Sequence, residues 1–436
     1  MKILLINPPD PYTKKGSKHY PLGLGYLATV LNQKGKECRI LDLAARQGTL
    51  EESIKTFQPS VIGISVLSTT LPEVRNIVSL TRSIFNGYLI AGGAHATMFP
   101  REMILEGFDF VVRGDGEQTL QDLVENLETP RGVNGIVYKE DNQIIENPPR
   151  GKIQSLDNLP HPDRELYDLK LYKKHIVMGT RGCSFNCKFC CNWQINGKGI
   201  RKRSPKNVLE ELKYLFYEYN AKEIFLADDN FGAFRRDKLE LCDLISHEGI
   251  DINWATQIRV DSVDDILLSH MKKAGCNRIY FGVESGSQAI LDGARKGINV
   301  NQSKNAIALA KNEGFTIKIG IIIGLPGSYN QNLESLEFVK ETLPDEVSVH
   351  HFVPFPGTEY WKNASEYGIR ITDKSDFGSL YYHTIPKNLE FDYISRNQII
   401  ELFNLFDTEL RSFGYVSPNE YEEGKKVVTT PLTRNR

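Results

Sequence analysis

Long apolar runs are missing from this 436-residue chain: no stretch approaches the ~18 residues of a membrane-spanning helix. No charge of one sign is in excess. Lys and Arg number 53 against 55 Asp and Glu, and the net charge of −2 is spread along the chain. That argues against nucleic acid or a membrane surface as the main partner. Low-complexity tracts and repeats of solenoid period are also lacking, which sets aside repeat arrays. The opening "MKILLINPPD" carries only a short apolar stretch before Asn-Pro-Pro and has no cleavage site, unlike a secretory leader. The expectation is a cytoplasmic protein whose seven cysteines stay reduced. What remains is an ordinary globular mix, 40% apolar and 25% charged, long enough for two or three domains with their own cores.

The residues that are present alternate between two periodicities. Apolar strands are predicted at 2–9, 37–43, 61–67, 88–95 and 110–114, with helical patterns around 23–33, 50–57, 71–84 and 117–127. Strands alternating with helices predict a parallel sheet covered on both faces. Residues 1–150, ending in a hairpin at 135–149, therefore read as a doubly wound, Rossmann or flavodoxin-like domain. Residues 151–172 read as a linker. A second series follows, with strands at 175–180, 222–228, 253–259, 278–284, 316–323 and 346–353. Helices are expected at 205–218, 236–247, 263–273, 301–313 and 332–342. Six such units fall short of the eight of a closed barrel, so 173–365 reads as a partial (β/α)6 TIM-type barrel. Residues 366–436 read as a small C-terminal region, helical over 396–412 and ending in a polar, disordered tail, "TTPLTRNR". The fold class is α/β.

Four of the cysteines crowd into "TRGCSFNCKFCCNW": Cys183, Cys187, Cys190 and Cys191. In a reduced compartment such a group points to metal or catalysis rather than disulfides. Cys183, Cys187 and Cys190 have the spacing C-x3-C-x2-C, just after the first strand of the barrel, where barrel chemistry sits. A zinc site usually pairs two C-x2-C elements or adds closely spaced histidines, and neither follows here. Three thiolates can hold a cubane iron–sulfur cluster and leave one iron open. A structural zinc knot or a chance cluster is the plainer alternative. Cys191, one residue from the set, reads as a packed or spare thiol.

C-x3-C-x-aromatic-C, with Phe189 at the aromatic position, resembles the signature of the radical S-adenosylmethionine (SAM) superfamily. The resemblance implies a 4Fe-4S cluster whose free iron is chelated by SAM, and a 5′-deoxyadenosyl radical made by reductive SAM cleavage. It also implies roles for the strand ends. Asp228, Asp229 and Asn230, in "FLADDNF", stand where the family receives the SAM amino group; the plainer reading is a helix cap by Asp229 or Asn230. Gln257 and Arg259 share one face of the third strand, and Arg259 could grip the SAM carboxylate as a fork, or simply be salt-bridged. Glu284 and Ser285 could bond the SAM ribose and amino acid, although a carboxylate ending a buried strand needs a partner in any case. The backbone around Ile323 resembles the adenine-binding edge. "VPFPGTEYW" (353–361) matches the family without an obvious role.

The N-terminal domain is similar to the cobalamin (B12) domain of one branch of that superfamily. Ser65 and Leu67 match its Ser-x-Leu element, and Gly92 and Gly93 its Gly-Gly element, where backbone lies close to the nucleotide tail. The usual Asp-x-His-x-x-Gly, whose histidine ligates cobalt, is missing; the nearest segment is "DPYTKKG" (10–16). Cobalamin is therefore an expectation carried by the strand ends, by the resemblance of the opening segment and by "RGDGE" (113–117). "GLGYLA" (23–28) matches a dinucleotide fingerprint but lies about fifteen residues beyond the preceding strand. His19 and Tyr20 could face the corrin or the substrate. His350 and His351 alternate on the sixth barrel strand, so one of them faces inward.

The resulting expectation is a radical SAM enzyme acting on an unidentified small molecule, with flavodoxin or ferredoxin as electron donor by resemblance. Cobalamin-dependent methyl transfer to carbon ranks first. A cobalamin-free dehydratase, cyclase, rearrangement or decarboxylation enzyme with a vestigial B12-type domain ranks second. A non-catalytic iron–sulfur carrier or sensor is the alternative of another class. No residue identifies itself as the catalytic acid, base or hydrogen donor.

Overall fold

The computed structural model describes residues 1–9, 19–420 and 425–431. Segment 10–16 and the last five residues lie outside it. The chain divides into two compact units, Met1–Ile176 with Gln194–Gly197 and Val177–Trp193 with Lys198–Arg436.

The first unit is a seven-stranded sheet: β1 Lys2–Asn7, β2 Glu37–Asp42, β3 Val61–Ser65, β4 Tyr88–Gly92, β5 Phe110–Val112, β6 Ile136–Glu140 and β7 Gln143–Glu146. Its order is β2-β1-β3-β4-β5-β6-β7. The first five strands run parallel, and β6 and β7 form the expected hairpin on the edge. Ile3–Ile6 and Val61–Ile64 are buried without a break, as strands covered by helices on both faces must be. This order reverses between β1 and β3, the switch point at which doubly wound sheets bind ligands beyond their carboxyl ends. The strands expected to reach 67 and 95 stop at Ser65 and Gly92. Gly93 takes the left-handed φ of +93°, and a short helix, Ala94–Met98, begins.

Residues 151–172, expected as a linker, pack into this unit. The Tyr20 ring packs 4.6 Å from that of Tyr167, tilted, and 5.7 Å from that of Tyr172, edge-on, and its hydroxyl exchanges hydrogen bonds with the Ile176 backbone. Tyr20 is thus a core residue rather than one facing a ligand. The dinucleotide reading also fails. β1 ends at Asn7 and the helix Leu22–Gln33 starts fifteen residues later, with Gly25 serving contact: a Cβ there would collide with the Tyr167 hydroxyl.

The second unit holds an eight-stranded sheet. It contains β11 Glu223–Leu226, β12 Asn253–Ile258, β13 Cys276–Glu284, β14 Thr316–Ile323, β15 Glu346–His351, β18 Tyr415–Val416 and β19 Lys426–Thr429, and its edge strand β8 His175–Val177 falls at the boundary, with only Val177 in this unit. Two antiparallel pairs complete the strands, β9 Thr180–Arg181 with β10 Arg201–Lys202, and β16 Ile369–Ile371 with β17 Leu389–Phe391. β11 through β15 are parallel, and β11 to β14 are each followed by a helix as expected. β19 adds parallel to β15, with Val427 and Val428 buried, so residues 426–429 belong to the sheet; of the expected tail, Thr429 ends this strand and 432–436 lie outside the described residues.

Alternation separates the two faces of this sheet. Ile279, Phe281, Val283, Ile317, Ile319, Ile321, Val347 and Val349 are buried in one core with the covering helices. Tyr280, Gly282, Glu284, Lys318, Gly320, Ile322 and His350 face the other way and are only half-buried. Gly282 pairs with Gly320 in register, and Gly320 with Ser348, so a row poor in side chains crosses three strands of this inner face. The histidine pair resolves as well. His351 is 2% exposed and packs on Phe391 and Phe403, while His350 is the inward one and meets Tyr382 and His383.

Candidate cofactor sites at the strand ends

β9 and β10 close the loop that carries the four clustered cysteines. All four thiols are free; Cys187 is buried, Cys190 exposed, and Cys183 and Cys191 lie between. The loop is held at several points. Gly182 N donates to Asp229 at 3.0 Å, Trp193 Nε1 to the Cys183 carbonyl at 2.8 Å and Cys190 N to the Cys187 carbonyl at 3.1 Å. Lys188 N donates to the Ala294 carbonyl, and the Lys188 carbonyl accepts from Tyr360 N. Segment 353–361, which had no role in the sequence, thereby braces the cysteine loop. Glu359 adds a pair with Arg295 at 2.9 Å.

Among the described residues, no three Cys, His, Asp or Glu side chains converge as a single bound ion demands. A cubane requires a different donor set, in which each thiolate ligates its own iron. Three thiols on one braced loop fit that set. Burial pushes the Cys187 thiol up, while the nearby cations Lys296 and Arg259 pull it down. Those cations also suit the negative charge that thiolates bring to a cluster.

The other strand-end residues gather here in two sorts. Asp228 is buried and fully used: it accepts from Gly179 N at 2.7 Å and Thr180 N at 2.8 Å, and pairs with Lys238 at 2.6 Å. Asn230 accepts from Arg259 N and donates to Ser262. Ser285 is sealed against Ser335 and Ser287. The side chain of Ile323 is in the helix-side core, and its carbonyl accepts from Phe352 N. In these four the scaffold absorbs the groups that the sequence offers to SAM. The Arg259 fork is likewise taken, by Asp261 at 2.9 and 2.8 Å, while its guanidinium covers the Phe185 ring.

Glu284 and Gln257 remain toward the inner face. Gln257 lies half-buried opposite Tyr280. Glu284 sits at a bulge between β13 and β14 with φ +69°, a left-handed conformation that a non-glycine residue adopts at a cost. Its carboxylate pairs with Lys296 at 2.8 Å, and the Lys296 amine lies 5.9 Å from the Phe189 ring. Sequence reasoning missed Lys296. The signal was available, because a carboxylate ending a buried strand demands a cation.

In the first unit the carboxyl ends of β3 and β4 are zipped together: Val66 N donates to the Gly92 carbonyl at 2.7 Å and His95 N to the Val66 carbonyl at 3.0 Å. Ser65 is half-buried and Leu67 is 49% exposed, a large apolar side chain left at the edge. A Cβ on Gly92 would meet nothing within 4 Å, whereas one on Gly93 would press on Val66 backbone atoms at 2.9 and 3.0 Å. An open backbone edge beside an exposed leucine fits a large, flat, partly apolar cofactor such as cobalamin.

A doubly wound unit with an open glycine edge, and a β/α sheet with three thiols on a loop at its strand ends, define a cofactor-dependent α/β enzyme. Residues 12–124 match the model of the B12 binding domain and 177–339 that of the radical SAM superfamily. An uncharacterized methyltransferase of Pyrococcus horikoshii is 33% identical over 92% of this chain and 90% of its own length. An anaerobic magnesium-protoporphyrin IX monomethyl ester cyclase of Rubrivivax gelatinosus is 25% identical over 92% and 76%. The fold is that of a radical SAM methyltransferase, TsrM, from Kitasatospora setae, solved with cobalamin and a 4Fe-4S cluster; the TM-score is 0.77 over 98% of this chain and 92% of that one, at 15% identity. The chain belongs to the radical SAM superfamily, in the branch with an N-terminal B12-binding domain. It is an enzyme whose cofactors are a 4Fe-4S cluster, SAM and cobalamin. No described helix is long and apolar enough to cross a membrane.

Proposed function

We propose that this enzyme transfers a methyl group to a carbon atom of a small molecule. The observation that carries the reading is the pairing, in one chain, of an open Gly92 edge with a braced Cys183–Cys187–Cys190 loop. When bound, the cluster and SAM supply a 5′-deoxyadenosyl radical and cobalamin supplies the methyl group. The chain's own groups then have plain tasks. Cys183, Cys187 and Cys190 hold the cluster; Phe189 and Lys296 flank it. Glu284, paired with Lys296, would offer a carboxylate oxygen to a donor group of SAM, and Gln257 would offer an amide on the same inner face. Arg259 positions the loop through Phe185 rather than gripping SAM directly. Asp228, Asp229, Asn230, Ser285 and Ile323 shape the strand ends. Ser65, Leu67, Gly92 and Gly93 form the cobalamin edge. The electron donor is a flavodoxin or ferredoxin, and the enzyme works in the cytoplasm.

The test needs no substrate. Anaerobically reconstituted protein is mixed with SAM and reductant, with and without bound cobalamin. S-adenosylhomocysteine released only by the cobalamin-loaded form supports methyl transfer. 5′-Deoxyadenosine without S-adenosylhomocysteine would leave the second reading, a radical cyclase or related enzyme, which the cyclase relative favours.

A further inference from the structure

Lys188 lies between Cys187 and Cys190, and both of its backbone groups are taken by other segments. Its N–H donates to the Ala294 carbonyl at 3.0 Å, and its carbonyl accepts from Tyr360 N at 3.3 Å. The sequence neighbours of these two anchors bind each other. Arg295, next to Ala294, donates from Nη1 to Glu359 Oε2 at 2.9 Å and from Nη2 to Oε1 at 3.2 Å, and Glu359 adjoins Tyr360. Lys188, Ala294, Arg295, Glu359 and Tyr360 thus form a closed circuit around one residue of the cysteine loop. Glu359 carries more of it than a lone surface pair would. Its Oε1 also accepts from the Tyr367 hydroxyl at 2.6 Å, so one carboxylate receives three donors. Isolated exposed pairs contribute little, whereas a bidentate fork within a network holds its geometry. Arg295 adds a second sign of constraint. Its φ is +54°, a left-handed conformation that a non-glycine residue keeps only where its surroundings impose it.

We infer that Glu359 is the positioning residue of the cluster loop: by tying the Arg295 end of the circuit to the Tyr360 end, it fixes Cys187 and Cys190 before iron and sulfide arrive. The inference rests on the Cys183–Cys187–Cys190 ligand set. Cys190 N donates to the Cys187 carbonyl at 3.1 Å, so a tight turn joins these two cysteines, with Lys188 and Phe189 at its centre. Clamping Lys188 on both sides clamps that turn. Glu359 acts through the Lys188 backbone and is not itself a ligand. A loop held in this way loses less freedom when a cluster binds, which makes the bound cluster harder to remove.

The test starts from the full-length apoprotein, so its first readout is independent of activity. Hydrogen exchange over 183–191 is compared in wild type, Glu359→Ala, Arg295→Ala and the double variant. Each single variant is expected to speed exchange of this loop about tenfold, the worth of one charge-assisted hydrogen bond. The double variant should add little, because both changes remove the same link. Glu359→Gln, which keeps one acceptor oxygen, recovers part of the protection. Arg235→Ala, which breaks a bidentate pair with Asp264 elsewhere, leaves the loop unchanged. After reconstitution, a chelator should strip iron from Glu359→Ala about fivefold faster than from wild type. Unchanged loop exchange in Glu359→Ala overturns the inference alone. So does faster exchange spread over the whole second unit with a lowered melting temperature, which would make Glu359 a general stabiliser of the fold. A Cys187→Ala protein that keeps its cluster overturns the ligand set and the inference with it.

Discussion

Gly92 and Gly93 are adjacent, yet only one of them has room. A Cβ on Gly93 would stand 2.9 Å from the Val66 carbonyl oxygen, on a backbone at φ +93°, whereas a Cβ on Gly92 would meet nothing within 4 Å. Gly93 is required by the protein itself; Gly92 is spare until a ligand arrives.

Gly92→Phe should therefore leave the fold and the cluster intact while blocking cobalamin sterically. Gly93→Phe should destabilise the unit by about 2 kcal/mol or more through strain and contact. Thermal melts combined with hydroxocobalamin dialysis separate the two. Full cobalamin retention by a folded Gly92→Phe protein would remove the β3–β4 edge as the binding site.

On the proposed ligand set, Cys183→Ala, Cys187→Ala and Cys190→Ala should each abolish SAM cleavage, since the cluster would lose one of three protein ligands. Cys191→Ala should keep most of it. Iron content and cluster absorbance read the outcome directly. A stable cluster in Cys190→Ala and none in Cys191→Ala would shift the ligand set by one residue.

Lys296→Met removes a cation beside Cys187 and strands Glu284, which is only partly solvated. The cluster should become harder to reduce by roughly 40 mV, corresponding to about 1 kcal/mol for one electron. Stability should fall by about 2–3 kcal/mol, and Glu284→Gln in the same protein should recover part of it. Potentiometric titration checks the first effect; an unmoved midpoint would show that Lys296 serves only Glu284.

Burial lowers both His95 and His351 from 6.5 to about 4. The unfolded chain binds their protons near pH 6.5, and the folded one resists until about pH 4. Stability is thus complete above pH 6.5 and is lost as pH falls toward 4, by up to about 3 kcal/mol for each residue. Denaturant melts of the apoprotein at pH 7 and pH 5 measure the slope, and His351→Leu should flatten it. Equal midpoints at the two pH values would contradict both burials.

The two periodicities of apolar residues were enough to read the main parallel strands and the longer helices of both units, because those strands are covered and those helices carry an apolar face; short elements such as Ala94–Met98, Gln288–Gly293 and the β16–β17 pair were not legible. The cysteine spacing was enough to propose a cluster loop, because the three thiols are local in sequence. Partnership was not legible. Lys296 is twelve residues from Glu284, and Asp228 reaches back to Gly179 and forward to Lys238. No period or motif encodes which polar groups the scaffold satisfies. Nor could the sequence seat β19, since four residues become a strand only where β15 leaves its edge unpaired. The sequence by itself determined the main parallel strands, the longer helices and the crowding of four cysteines on one loop. The tertiary structure decided which of the conspicuous polar residues stay available, because a buried polar group must be paired by whatever the fold brings beside it.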